Sequence, residues 1–180
     1  MQIVQTYSYR HAEAILVHEY PAEMAEIRAI IEAVQWAPIA DGPKQRVRKG
    51  KVVCTLTINQ DRTNKRFEAE FGDRGWEKHP FIVSTAESKL VADFKKQGIQ
   101  VEVQFGNMAR WYTDIFKFLL SYAANDIELG VLIVPMKSAA ACIDENVVYF
   151  ERVVRELPHA KMAVTIPVWV VGVNGTDLAV

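Results

Sequence analysis

Residues 92–107 read ADFKKQGIQVEVQFGN, two strand-like segments on either side of a turn. The Lys-Lys-Gln-Gly tetrad at 95–98 is a hairpin signal, with Gly98 able to take a positive φ, and the flanking segments alternate as strands do. Asp93 and Glu102 then fall near cross-strand partners. Directly opposed residues of an antiparallel pair share a face with Cβ atoms roughly 5 Å apart, so two carboxylates there repel. A shared cation is the simplest offset, because hard divalent metals such as Mg²⁺ are held by one or two carboxylates with waters and substrate phosphates. Val101-Glu102-Val103-Gln104-Phe105 also fits an ordinary half-buried strand, apolar inward and polar outward. A slip of one residue in register would part the carboxylates, so spacing alone leaves both readings open.

A chain of 180 residues is long enough for a sizeable core and predicts one domain spanning 1–180. Half of the residues are hydrophobic and the net charge is −1, which neither advertises a nucleic-acid binder nor excludes one, since clustering matters more than the total. Cys54 and Cys142 stand alone in apolar surroundings without CxxC spacing, which leaves zinc and redox motifs unsupported and predicts two reduced core residues. The opening MQIVQTYSYRHAEAIL lacks the order of a signal peptide, and no stretch approaches the roughly 18 apolar residues of a membrane span. A cytoplasmic protein with no membrane association follows.

Pro21 opens a helical pattern, PAEMAEIRAIIEAVQW, with Met24, Ile27, Ile30, Ile31 and Val34 on one face. DGPKQRVRKGK at 41–51 reads as a loop with five positive charges, KVVCTLTI at 51–58 as a strand, and TNKRFEAEF at 63–71 as a short helix. After the hairpin, Asn107 suits the cap of a helix whose apolar stripe is Met108, Trp111, Ile115, Leu119 and Tyr122. GVLIVP at 130–135 is a continuous buried strand, DENVVYFERVVREL at 144–157 is helical, and IPVWVVGV at 166–173 is another strand. From the hairpin onward the order is β-β-α-β-α-β, which implies an α/β mixed sheet flanked by helices.

That order, with an acidic residue on one hairpin strand and Glu-x-Gln on the next, resembles the PD-(D/E)xK nuclease fold. DF at 93–94, VEVQFGN at 101–107, YRHAEAIL at 9–16, DENVVYFERV and IPVWVVGV are similar to the BglII/BstYI group of type II restriction endonucleases, over most of the chain. The resemblance implies a restriction-endonuclease-like mixed β-sheet flanked by helices. It implies Asp93 and Glu102 as metal-binding carboxylates, the Val103 carbonyl as a further ligand, and Mg²⁺ as cofactor. Gln104 occupies the position where many relatives of the wider fold carry lysine, and the group shares this glutamine. Its amide can orient a water or a backbone group but brings no charge to the reacting phosphate. His79, in GWEKHPF, lies where the family places a residue that positions the nucleophilic water, although His-Pro equally suits a strand-entry turn.

For DNA contacts, the run Lys44, Arg46, Arg48, Lys49 and Lys51 suits phosphates or a solvated loop. Asn107 suits a base edge or a helix cap, and Lys137 and Ser138 resemble a DNA-facing loop in position. His11, His18 and His159 read as surface or packing residues, and Trp111 and Trp169 as core. The implied activity is Mg²⁺-dependent, sequence-specific cleavage of double-stranded DNA by a homodimer at a GATC-centred palindrome, giving 5′-phosphate ends, beside a cognate DNA methyltransferase. The alternatives are a nuclease of the same fold in repair or structure-specific cleavage, and a catalytically silent DNA-binding relative.

Overall fold

Alternation in the hairpin is realised as two short antiparallel strands joined by a two-residue turn, Gln97-Gly98, in which both residues have positive φ (49° and 81°). The structure is a computed structural model describing residues 1–39, 46–54, 56–83 and 89–175, with the side chains at 46, 48 and 51–53 outside that description. The chain begins with β1 (Gln2–Tyr9), α1 (Ala12–Glu19), α2 (Pro21–Ala33), β2 (Arg46–Arg48), β3 (Lys51–Cys54) and α3 (Gln60–Asp73). It continues through β4 (Glu77–Lys78), β5 (Phe94–Lys96), β6 (Ile99–Val103) and α4 (Arg110–Ala123). The last elements are β7 (Leu129–Pro135), α5 (Lys137–Ile143), α6 (Phe150–Glu156), a 3₁₀ turn at Leu157–Ala160, and β8 (Val168–Asn174). Six strands form one mixed sheet in the order β1-β8-β7-β6-β5-β4. The β6–β7 and β7–β8 pairs are parallel and the rest antiparallel.

Helices cover both faces, as the unbroken apolar run of β7 requires. Val131 and Ile133 join Leu16, Ile27, Ile31, Phe67 and Phe71 on the face of α1–α3, whereas Leu132 and Val134 join Phe118, Phe150 and Val153 on the face of α4 and α6. Gly130 sets how closely α4 approaches, since a Cβ there would sit 2.7 Å from the Phe118 ring. Ile99, Val101 and Val103 of β6 point to the first core. The polar residues of β6 do not face water: Gln100 and Glu102 are 0% and 1% exposed and Gln104 is 8% exposed. They are roofed by α4, which reverses the polar-outward reading of this strand.

Several expectations are corrected. Cys54 and Cys142 are not free thiols: a disulfide joins them, with Cα atoms 5.4 Å apart. They lie 88 positions apart in sequence, and only the packing of α5 on β3 brings them together, which no spacing rule reports. The apolar stripe of α4 runs through Trp111, Ile115 and Phe118 and leaves Tyr122 exposed, because the helix turns its Asp114 and Ser121 positions inward. Asn107 is not the cap of α4, whose N-cap residue is Ala109; its Oδ1 accepts from the Ala109 N–H at 2.9 Å in a turn just ahead of the helix. The helix expected over 63–71 extends from Gln60 to Asp73 behind an Asn59 cap, whose side chain accepts from Arg62 N–H at 2.9 Å. The segment 144–157 is helical only from Phe150, after a separate helix, α5, that the sequence reading passed over. No helix among the described residues is long and apolar enough to cross a membrane.

Candidate active site

The register of the hairpin pairs Phe94 with Val101 and Lys95 with Gln100, so one further step sets Asp93 opposite Glu102. Asp93 Oδ2 accepts from the Val103 N–H at 2.8 Å, which ties the first carboxylate to the strand bearing the second. Above Glu102 stands α4. Helical spacing brings Asp114, Lys117 and Ser121 onto one face, and each meets one polar residue of β6 or Gln104 just beyond it. Gln104 Nε2 donates to Asp114 Oδ2 at 2.6 Å, Lys117 Nζ donates to Glu102 Oε2 at 2.6 Å, and Ser121 Oγ donates to Gln100 Oε1 at 2.7 Å. Gln100 Nε2 then donates to Glu102 Oε1 at 2.8 Å, and Lys117 Nζ also reaches Asp114 Oδ1 at 3.2 Å. The polar groups withdrawn from water are thus paired with one another, as burial demands.

Burial and neighbouring charges perturb Asp93, Glu102 and Lys117. Burial pushes the Glu102 carboxyl well above the usual carboxylate range, the Asp93 charge adds to the rise, and Lys117 opposes it. Burial also raises Asp93, against the hydrogen bond from Val103 N–H. For Lys117, burial favours the neutral amine, yet Glu102 and Asp114 outweigh it and lift the ammonium above its ordinary value. The carboxylates' mutual repulsion is therefore offset within the chain by a lysine absent from the sequence-level candidates.

Asp93, Glu102, Val103 and Gln104 line one open cleft of about 520 Å³, together with Asn64 and Lys117. Gln104 is fixed at both ends of its amide, since its Oε1 accepts from the Gly106 N–H at 2.9 Å. A Cβ at Gly106 would lie 2.9 Å from that same oxygen, so a side chain there would press on the Gln104 amide. His79 sits behind the cleft at a small cavity it shares with Asp93 and Asn64. Its N–H donates to the Asp93 carbonyl at 3.0 Å and its Nε2 lies 3.8 Å from Glu68 Oε1, while φ of 54° suits the turn reading of His-Pro. Asn107, Lys137 and Ser138 are exposed and do not line the cleft, though all follow the C-terminal ends of the parallel strands β6 and β7; Lys137 and Ser138 open helix α5 rather than standing in a loop. Lys44 lies outside the described residues, as do the side chains of Arg46, Arg48 and Lys51. Trp111 and Trp169 are core residues, and His11, His18 and His159 are exposed.

Among the described residues no group of three or more His, Cys, Asp or Glu could by itself hold a metal ion. Asp93, Glu102 and the Val103 carbonyl form instead the sparse oxygen set that suits a cation retaining waters and taking substrate phosphates as ligands. Asn64 supports the fit: its Oδ1 is buried without a hydrogen-bond partner beside Asp93, an oxygen available to a hydrated ion. Asp114, Lys117 and Asn64 were missed from sequence. The Asp-x-x-Lys spacing on a helix was a usable signal, lying off the apolar stripe by which the helix was recognised.

A mixed sheet of this topology is that of restriction-endonuclease-like α/β proteins. The structure superposes on that of restriction endonuclease BglII complexed with a DNA 16-mer with a TM-score of 0.74 and 19% identity, covering 96% of this chain and 76% of that one. On free BglII the TM-score is 0.68 at 19% identity, covering 97% and 80%. The family model described as restriction endonuclease BglII/BglIII matches residues 4–173, and the chain belongs to that family of DNA endonucleases. No curated protein matches the chain by sequence.

Proposed function

We propose that the chain is a Mg²⁺-dependent type II restriction endonuclease that cuts double-stranded DNA as a homodimer at a short palindrome, with residues 1–180 as a single domain. The observation that carries this reading is the convergence of Asp93, Glu102 and Gln104 on one cleft in a chain of the restriction endonuclease BglII/BglIII family. Asp93, Glu102 and the Val103 carbonyl would hold the ion. When bound, Mg²⁺ polarises the phosphoryl oxygen, lowers the pKa of the attacking water and stabilises the leaving oxygen.

The chain's own groups supply the rest. Val103 N–H holds the Asp93 carboxylate toward the neighbouring strand, and Gln100 Nε2 holds Glu102 Oε1. Gln104 holds Asp114 through its Nε2 and the Gly106 N–H through its Oε1. Asn64 and His79, on the Asp93 side, orient the attacking water. Hydrolysis leaves a 5′-phosphate and a 3′-hydroxyl.

DNA binding is proposed by analogy with the relative seen on a DNA 16-mer. Asn107, Lys137 and Ser138, exposed after the C-terminal ends of β6 and β7, would face a groove of the DNA, and Arg46 and Arg48 would contact phosphates. One cleft per chain cuts one strand, and a palindrome offers two equivalent phosphates related by a two-fold axis, hence the dimer. A cognate methyltransferase protects the host DNA, and the protein works in the cytoplasm. The target we propose is GATC-centred with relaxed outer positions. Digesting a sequenced phage genome in Mg²⁺ and sequencing the fragment ends tests this. Ends sharing a GATC-centred palindrome support it; a palindrome without GATC refutes the target, and ends set by DNA structure rather than sequence point to a repair-type nuclease.

A further inference from the structure

Phosphodiester hydrolysis builds negative charge on the phosphorus-bound oxygens, and a cation aimed at them is worth most in a dry, preorganised site. Gln104 carries no charge, and its amide is engaged by Asp114 on one side and Gly106 on the other. Lys117 does carry a charge, and it is in the same cleft. Its side chain is 14% exposed, its ammonium lies 2.6 Å from Glu102 Oε2 and 3.2 Å from Asp114 Oδ1, and Asp114 couples it directly to Gln104. Arg110 and Lys89 also line the cleft, but both are exposed.

The charge balance gives the lysine a place in the loaded site. Setting aside the exposed Arg110 and Lys89, the interacting group of Asp93, Glu102 and Asp114 with Lys117 carries three formal negative charges against one positive, an excess of two that one divalent cation would fill. The ammonium stands on Glu102 Oε2, an oxygen for which a bound ion would compete. Asp114, through its other carboxylate oxygen, is anchored to Gln104 and stays put. An ammonium on a flexible four-carbon stem has three donors and can exchange one partner while keeping another.

We propose that Lys117 is a catalytic residue of this nuclease. Held by Asp114, its ammonium yields Glu102 Oε2 to the metal and contacts a non-bridging oxygen of the scissile phosphate, supplying from α4 the charge that Gln104 does not supply from β6. The inference rests on the nuclease reading above. A purely structural lysine would neutralise Glu102 and take no part in the reaction.

The test compares Lys117→Met and Lys117→Arg with the wild-type chain in three measurements. These are Ca²⁺ affinity of the DNA-free protein by calorimetry, retention of a phage DNA fragment cut by wild type in Ca²⁺, and single-turnover cleavage of that fragment at saturating Mg²⁺. Lys117→Met should bind Ca²⁺ at least about ten-fold more tightly, retain DNA within a few-fold, and cleave about 100- to 1,000-fold more slowly. Lys117→Arg should recover most of the rate. An undiminished rate for Lys117→Met overturns the proposal, and so does a rate loss that follows a parallel loss of Ca²⁺ binding, which makes the lysine a builder of the metal site. If Lys117→Met does not fold by circular dichroism, Lys117→Gln, which keeps a donor to both carboxylates, carries the same comparison. A wild-type chain that cuts no DNA defeats the nuclease reading itself, and the inference with it.

Discussion

Gln104 Nε2 donates to Asp114 Oδ2 across 2.6 Å, linking the third position of the Glu-x-Gln strand to the first turns of α4. The glutamine is thus a strut between strand and helix as well as a wall of the cleft. Gln104→Ala removes both hydrogen bonds of its amide and leaves Asp114 buried with Lys117 alone. We expect the single-turnover rate to fall by at least ten-fold with DNA retention in Ca²⁺ little changed. An equal loss in retention would make Gln104 a DNA-positioning residue.

Stability should depend on pH through the carboxylate pair. Asp93 and Glu102 are both raised, chiefly by burial, so between the ordinary carboxylate range and their own values the folded chain binds more protons than the unfolded one. Their contribution to stability is present at low pH and is lost as pH rises through that window. Lys117 is charged in both states there and adds no slope. In chelator, the melting temperature of Glu102→Gln relative to wild type should therefore climb as pH rises above the ordinary carboxylate range. A difference that stays flat or shrinks contradicts the assignment of the raised carboxyl.

Metal choice follows from the sparse oxygen set. Mg²⁺ should support cleavage, while Ca²⁺, larger and tolerant of irregular coordination, should support DNA retention with little turnover. Full cutting in excess chelator would contradict the metal requirement.

The hairpin was legible because its signals are local: a polar tetrad ending in Gly98, alternation, and two carboxylates at a fixed offset, although Lys95 and Lys96 of that tetrad belong to β5 and only Gln97-Gly98 form the turn. So were the buried strands β7 and β8, whose apolar runs leave no face for water. What covers β6 was not legible. Alternation in 101–105 says only that one side is polar, and whether that side meets solvent depends on where α4 lands, which Gly130 and Phe118 decide at long range. Lys117 was missed for that reason, since a lysine opposite an apolar helix stripe ordinarily faces solvent. The disulfide between Cys54 and Cys142 is likewise a property of the packed chain, and β1, at the far edge of the sheet, carries too few buried positions to stand out.

The sharpest measurement sets the carboxylates against the fold. Asp93→Asn and Glu102→Gln should each lower Mg²⁺-dependent cleavage by several orders of magnitude, because both groups are proposed to hold the ion on which the chemistry depends. Both variants should remain folded, with Glu102→Gln at least as stable as wild type in chelator near neutral pH. Discrete DNA fragments from wild type in Mg²⁺ and none from either folded variant is the predicted result. Folded variants that cut at near wild-type rates would contradict the assignment of Asp93 and Glu102 as the metal-binding pair.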